Sequence, residues 1–135
     1  MAYEIEEIEG IGPVYGDKLK AAGLSNTDDF LKLCCDKKGR QDVAEKTGIS
    51  EKLLLTWANL ADLMRISGVG PQFSELLEGA GVDTVKELRH RNAENLAAKM
   101  EEVNGEKKLA KTSPAASVVQ KWIDAAKELD PTITH

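Results

Sequence analysis

Aromatic side chains are scarce in this chain: two Trp, two Tyr and two Phe among 135 residues. Hydrophobic residues still make up 41%, so a core can form, but it must be assembled mainly from Leu, Val, Ile and Ala. Cysteine is limited to the neighbours Cys34 and Cys35. A bridge between adjacent residues is strained and neither has another partner, which excludes a disulfide framework and leaves packing or exposure near a helix end. The two histidines, His90 and His135, have no ligand partners at useful spacing, so neither a zinc site nor any other metal or cofactor is expected. No apolar run approaches membrane-spanning length. The N-terminus is acidic (Glu4, Glu6, Glu7, Glu9) rather than an apolar leader, so no secretory signal is expected and the cytoplasm is the expected compartment. A basic surplus is missing too. The net charge is −5; residues 1–65 carry 9 basic and 12 acidic side chains, and residues 66–135 carry 9 and 11. Nucleic-acid binders usually show a basic face, so the charge balance counts against that class while leaving room for a local patch.

What the chain does contain is one phrase written twice. Residues 8–24 read IEGIGPVYGDKLKAAGL and residues 66–82 read ISGVGPQFSELLEGAGV. Both run apolar, any residue, Gly, apolar, Gly, Pro, a small residue, then Leu, Ala, Gly, apolar. The duplication extends further. With a one-residue shift, Thr27-Asp28-Asp29-Phe30-Leu31 pairs with Thr84-Val85-Lys86-Glu87-Leu88. Val43-Ala44-Glu45-Lys46 resembles Leu96-Ala97-Ala98-Lys99, and Trp57 pairs with Trp122. A two-fold repeat is too short for a solenoid.

Local chemistry points to helices throughout, in good helix formers with 30% charged residues. Pro13 and Pro71 occupy first helical positions, where a missing N–H costs nothing. Gly23 and Gly81 stand at left-handed helix ends, with Leu24 folding back on Leu19 and Val82 on Leu77. Thr84 with Glu87 reads as a capping box, and Thr27-Asp28-Asp29 starts the equivalent helix with negative charge at its positive end. Gly39 and Gly48 bracket a short helix near 41–47. Ser50 caps the next, stapled by Ile49 and Leu54 and running to about Ile66, with Leu53, Trp57, Leu60 and Met64 as its buried stripe. Asn92 opens a helix over 93–103 that Asn104-Gly105 closes. Residues 106–112 form a polar connector. Ser113-Pro114 starts the last helix, striped by Val118, Trp122, Ala126 and Leu129 and stopped before Pro131. No strand is expected; Tyr3 and Ile5 alternate briefly, without a partner.

The phrase resembles the helix-hairpin-helix motif. Two glycines permit the sharp bend, the apolar residue between them (Ile11, Val69) plugs the gap between helices, and the small residue (Gly16, Ser74) allows close approach. Through its continuation the chain also resembles the helical C-terminal domain of the bacterial RNA polymerase alpha subunit. Over nearly its full length, including TGISEKLLLTWANLADLMRISGVG, it is similar to a bacterial family known only as a domain of unknown function with tandem helix-hairpin-helix repeats. The resemblance implies an all-α fold in which residues 1–65 and 66–135 are two such repeats packed as one pseudo-twofold domain.

The motif's DNA-binding members hold a phosphate oxygen on backbone N–H groups at the start of the second helix, reinforced by a Lys or Arg two residues after the second Gly. Here that position is Val14 in the first copy and Gln72 in the second. Gly10, Ile11 and Gly12, with Lys18 and Lys20 on the following helix, are the candidate nucleic-acid site. Gly68, Val69 and Gly70 are followed by Glu75 and Glu78 and read as structure alone. The basic groups Lys37, Lys38 and Arg40; Arg89 and Arg91; and Lys107, Lys108 and Lys111 read as solvated surface.

Enzyme readings fail. Gly10-Ile11-Gly12 has no preceding strand and no third glycine in register for a dinucleotide site. Val82-Asp83-Thr84 resembles the phrase in which helix-hairpin-helix base-excision glycosylases place a catalytic Asp, but Asp83 follows the turn too closely and there is no room for a base pocket; Asp83 is expected to cap the helix from 84. No nucleophile–base cluster stands out. Trp57 and Trp122, at matched positions on apolar stripes, are expected in the core. Two functions follow as expectations. The first is a non-catalytic scaffold that binds or assembles with an unidentified protein partner, its glycine turns structural. The alternative is binding of the DNA phosphate backbone through the first turn, without sequence reading. A membrane role is not expected.

Overall fold

The computed structural model describes residues 3–134; Met1, Ala2 and His135 lie outside it. Among the described residues are eight α-helices: α1 (Gly12–Ala21), α2 (Thr27–Cys34), α3 (Lys37–Thr47), α4 (Glu51–Leu63), α5 (Pro71–Gly79), α6 (Val85–Leu88), α7 (Ala93–Lys107) and α8 (Ala116–Glu128). A single 3-10 turn, Ile5–Glu7, precedes them. No strand occurs among these residues, so the fold is all-α. The Tyr3–Ile5 segment does find a partner: Glu4 forms an isolated antiparallel bridge with Asn26, Thr27 N–H donates to Tyr3 O at 2.8 Å, and Ile5 N–H donates to Ser25 O at 3.1 Å.

Helix ends follow local chemistry closely. α1 and α5 both close in the six-to-one hydrogen bond of a Schellman ending: Leu24 N–H donates to Leu19 O and Val82 N–H to Leu77 O, each at 2.9 Å. Gly23 and Gly81 take the required left-handed conformation, with φ of +93° and +95°. Ser50 Oγ accepts from Leu53 N–H at 3.2 Å, and Asn92 Oδ1 accepts from Asn95 N–H at 3.1 Å. The caps of α2 and α6 revise the alignment of the copies. Asn26, not Thr27, caps α2, its Oδ1 accepting from Asp29 N–H at 2.8 Å. Thr84 does the same for α6 through Glu87 N–H at 3.3 Å. Asn26 precedes Thr84 by the same separation as Gly10 precedes Gly68, so no one-residue shift is needed and Phe30 corresponds to Leu88, both fully buried.

Four expected boundaries and two stripes are corrected. α3 starts at Lys37 because Asp36 caps it, accepting from Gly39 N–H at 2.7 Å; Gly39 therefore lies in its first turn. α4 ends at Leu63, short of Ile66. α7 runs through Asn104-Gly105 to Lys107, and Lys108 takes the left-handed position at φ +53°. The Asn104 side chain ties the connector instead, accepting from Ala110 N–H at 2.9 Å and donating to Ser113 Oγ at 3.2 Å. α8 begins at Ala116 behind an Ala115 N-cap, later than Ser113-Pro114. On α4 and α8 the buried stripe passes through Leu54 and Val119, both fully buried, while Leu53 and Val118 are exposed. Adjacent apolar residues leave helical periodicity unable to choose the register.

Two hydrophobic clusters result. One joins Ile5, Ile8, Ile11, Leu19, Leu24, Phe30, Leu54 and Trp57 with other residues of the first 64. The other joins Leu63, Ile66, Val69, Leu77, Leu88, Leu96, Met100 and Trp122. α4 serves both, contributing Leu60 and Ala61 to the first and Leu63 to the second. The packing order recurs: α4 lies on α2 and α3, as α8 lies on α6 and α7.

The chain end crosses back between the clusters. After α8, Arg89 Nη2 donates to Leu129 O at 2.7 Å, Arg65 Nη1 to Asp130 O at 3.0 Å, and Arg40 Nη2 to Thr134 O at 2.6 Å. Three guanidinium groups from different parts of the chain thus hold one extended tail. Ile133 packs into the first cluster, although every other member lies within the first 64 residues. Arg40 is itself buried, and its Nη1 donates to Cys34 O at 3.0 Å, so this part of the expected solvated basic run is structural.

Candidate functional site

The two glycine turns are built alike beneath the surface. Gly10 and Gly68 both have φ of +93°, a backbone state that side chains rarely adopt. A Cβ at Gly10 would lie 3.3 Å from Trp57 Nε1, and one at Gly68 would lie 3.3 Å from Trp122 Nε1. Each indole therefore abuts its glycine, and no larger residue fits without displacement. Ile11 and Val69 are fully buried between the helices. The turns close with the same bond: Ile11 N–H donates to Ile8 O at 3.2 Å and Val69 N–H to Ile66 O at 3.0 Å. Tyr15 and Phe73, at matched places in the phrase, each meet their tryptophan at a ring-centroid distance of 5.2 Å. Trp57 and Trp122 are 2% and 4% exposed, as their apolar stripes led one to expect.

The surfaces differ. At the first turn Gly12 has φ of +62° and Val14 is 68% exposed. Lys18 lies four residues beyond Val14, on the same helical face; it is exposed and in no ion pair among the described residues. Lys20 points elsewhere. It pairs with Glu6, whose carboxyl is held below its ordinary pKa chiefly by the hydrogen bond to that ammonium; Lys20 is raised correspondingly. Gly16 makes room for this pair, since a Cβ there would meet Glu6 Cγ at 3.0 Å. The structure thus leaves Gly10, Gly12 and Lys18 exposed, buries Ile11 and pairs Lys20 with Glu6.

At the second turn Gly70 has φ of −92° and ψ of −168°, ordinary extended backbone. The N-terminal Tyr3 comes to this turn, its hydroxyl 3.7 Å from where a Gly70 Cβ would stand. Tyr3, Gly68, Gly70, Pro71, Gln72 and Phe73 line an open, mostly apolar cleft of about 480 Å³. Glu75 follows on α5. Burial first, then the like charges of Glu9 and Glu78, push its carboxyl above the ordinary range, opposed only by Lys107. The neighbouring carboxylates disfavour an anion beside Glu75. The sequence reading left out this cleft and its wall residues Tyr3 and Phe73. Phe73 carried a signal, being the counterpart of Tyr15 in the repeated phrase; Tyr3 carried none.

A second, more polar cavity of about 310 Å³ is lined by Asp83, Thr84, Lys86, Glu87, His90 and Ile133. Asp83 borders it and does not cap α6, contrary to the expectation from the sequence. That helix is capped by Thr84 and, across the fold, by Asp62, whose Oδ2 accepts from Val85 N–H at 2.8 Å. Asp62 is 1% exposed and its other oxygen accepts from Arg65 Nη1 at 2.8 Å. Cys34 and Cys35 are both free thiols; burial pushes Cys34 up to about 12, too high for a reactive thiolate. Among the described residues no group of three His, Cys, Asp or Glu side chains is placed to hold a metal ion, and no helix is long and apolar enough to cross a membrane.

A family model, Domain of unknown function (DUF4332), matches residues 9–129, from the first turn to the end of α8. The chain belongs to that family. The match takes in both turns, the cleft's wall on α5 and all eight helices, and leaves Tyr3 and the tail residue Ile133 outside. No curated protein and no solved structure matches the chain.

Proposed function

We propose that the protein is a non-catalytic helical scaffold for protein interaction, built from two helix-hairpin-helix repeats, residues 1–65 and 66–135, packed as one pseudo-twofold domain. The matched turn bonds, Schellman endings and tryptophan–glycine contacts support the repeat reading. Its hairpins are structural: each glycine turn is backed by an indole and plugged by an apolar side chain.

One observation carries the functional choice. Where a phosphate-gripping hairpin needs a cation beside the turn, this chain has Val14, exposed and apolar, and Gln72. Lys20 is engaged with Glu6, which leaves Lys18 as the lone cation of the candidate set. Phosphate affinity grows with the number of cations that displace counterions, and one is little to build on. The free thiols fit a reducing compartment such as the cytoplasm.

Fluorescence anisotropy with short duplex and single-stranded DNA at low salt tests the choice. The expected result is no binding at roughly tens of micromolar protein, well inside the range of ordinary non-specific DNA binding. Binding that weakens as salt rises, and that Lys18→Ala abolishes, would overturn the scaffold reading in favour of the DNA backbone.

A further inference from the structure

The cleft beside the second turn is open and has a specific composition. It is lined by Tyr3, Pro71, Gln72 and Phe73 and by Gly68 and Gly70, which carry no side chains to fill it. At about 480 Å³ it falls within the range of clefts that hold a ligand group. Paired rings around an open apolar slot are suited to an inserted aliphatic or aromatic side chain, since rings supply large contact area at low entropy cost.

The surroundings add a sign. Glu75 lies four residues after Pro71, on the same face of α5. Glu9, from the first turn, and Glu78, one helical turn on, are both close enough to disfavour its charge. Pro71, Glu75 and Glu78 follow one face of α5, so a line of carboxylates leads away from the edge of the apolar slot. Such a rim repels phosphates and acidic segments and favours Lys or Arg.

Resting on the scaffold reading above, we propose that this cleft is the docking site for a basic linear segment of a partner protein, which inserts one apolar or aromatic side chain between Tyr3 and Phe73 while its flanking Lys or Arg residues pair with Glu75, Glu9 and Glu78. The first turn takes no part: Val14 stands in the open there. The position of Tyr3 gives the site a second property. The wall it supplies comes from the N-terminal segment, which Thr27 holds from the other side by accepting from Tyr3 N–H at 3.0 Å. The site therefore needs both halves of the chain, and removing the N-terminal segment opens it.

Selection from a random peptide library displayed on phage, against the full chain, tests the proposal without assuming a sequence. The expected outcome is enrichment of peptides with a large apolar residue next to Lys or Arg. A fluorescein-labelled synthetic copy of the leading peptide should bind about tenfold more weakly to Tyr3→Ala and to Glu75→Lys. It should bind unchanged to Val14→Asp, which alters only the first turn. Amide shifts of Gly68, Gly70 and Gln72 in a ¹⁵N-labelled sample should move on titration, which reports the site even if a variant folds poorly. Enrichment of acidic peptides, no enrichment at all, or loss of binding with Val14→Asp but not with Tyr3→Ala would overturn the proposal. The DNA titration separates the two failures: DNA binding removes the scaffold reading itself, whereas silence toward both DNA and basic peptides removes only this assignment.

Discussion

The first and second turns share the repeated phrase, the same closing hydrogen bond, the same glycine at φ +93° and a tryptophan at the same distance. Their outer faces have little in common. Gly12 is left-handed while Gly70 is extended; Val14 stands in solvent while the second turn carries a cleft that Tyr3 helps to line. The buried half of the phrase is held by packing, in which any change of volume is felt. The outer half is constrained only by what passes over it. Duplication thus preserves a scaffold and leaves the two surfaces free to serve different ends, so a ligand assigned to one turn does not transfer to the other.

The equivalence of the buried halves meets its severest test in the tryptophans. Trp57→Ala and Trp122→Ala should each cost about 3–5 kcal/mol, as large-to-small core changes do, read from urea unfolding. Clearly unequal losses would break the comparison. Next in size is the tail. Ile133→Ala should cost about 2 kcal/mol, the lower end for a buried Ile, since the residue lies at the edge of the first cluster. Hydrogen exchange should quicken at Phe30 and Leu31 while Leu96 and Met100 keep their protection; loss at both would mean that the tail supports the halves jointly.

The third prediction sharpens the difference between the turns. Gly12→Ala puts a Cβ into left-handed backbone, at about 1–2 kcal/mol, whereas Gly70→Ala should stay within about 0.5 kcal/mol, because its φ is ordinary and only Tyr3 lies near. Similar costs at both glycines would erase the distinction in backbone between the two turns. The smallest effect is electrostatic. The folded protein raises the Glu75 pKa, so its charged form is the less favoured one in the fold. The contribution of Glu75 to stability therefore falls as pH rises from the ordinary carboxylate range through the raised value. Glu75→Gln should melt slightly higher than the parent at pH 7, and the gap should close as pH falls below the ordinary carboxylate range. A gap that persists in acid would show that charge is not its origin.

How much of this was legible depends on distance along the chain. The endings at Gly23 and Gly81, the caps Ser50, Asn92 and Thr84, and the staple of Ile49 with Leu54 are interactions within a few residues, and short-range chemistry specifies them. Leu53 and Val118 were misplaced because their neighbours Leu54 and Val119 fit a 3.6-residue stripe equally well; only the tertiary partner chooses. Asn104-Gly105 looks like a helix end, yet the Asn104 side chain satisfies Ala110 and Ser113 and the helix continues past it. Asp62 at the N-terminus of α6 could not be foreseen from a residue 23 positions earlier in the chain. Lys20 looked available for a phosphate until the fold brought Glu6 to it.

By itself, then, the amino-acid order determined that this is an all-α chain with two copies of one glycine turn, where most helices start and stop, and that its tryptophans belong inside. These are consequences of periodicity, capping and backbone freedom, all local. Tertiary structure alone decided that the tail returns to the first cluster under three arginines, that Asp62 caps a helix of the other half, and that Tyr3 roofs the second turn and not the first. Each of those is a contact between segments far apart in sequence, whose free energy exists only once the chain has closed the loop between them.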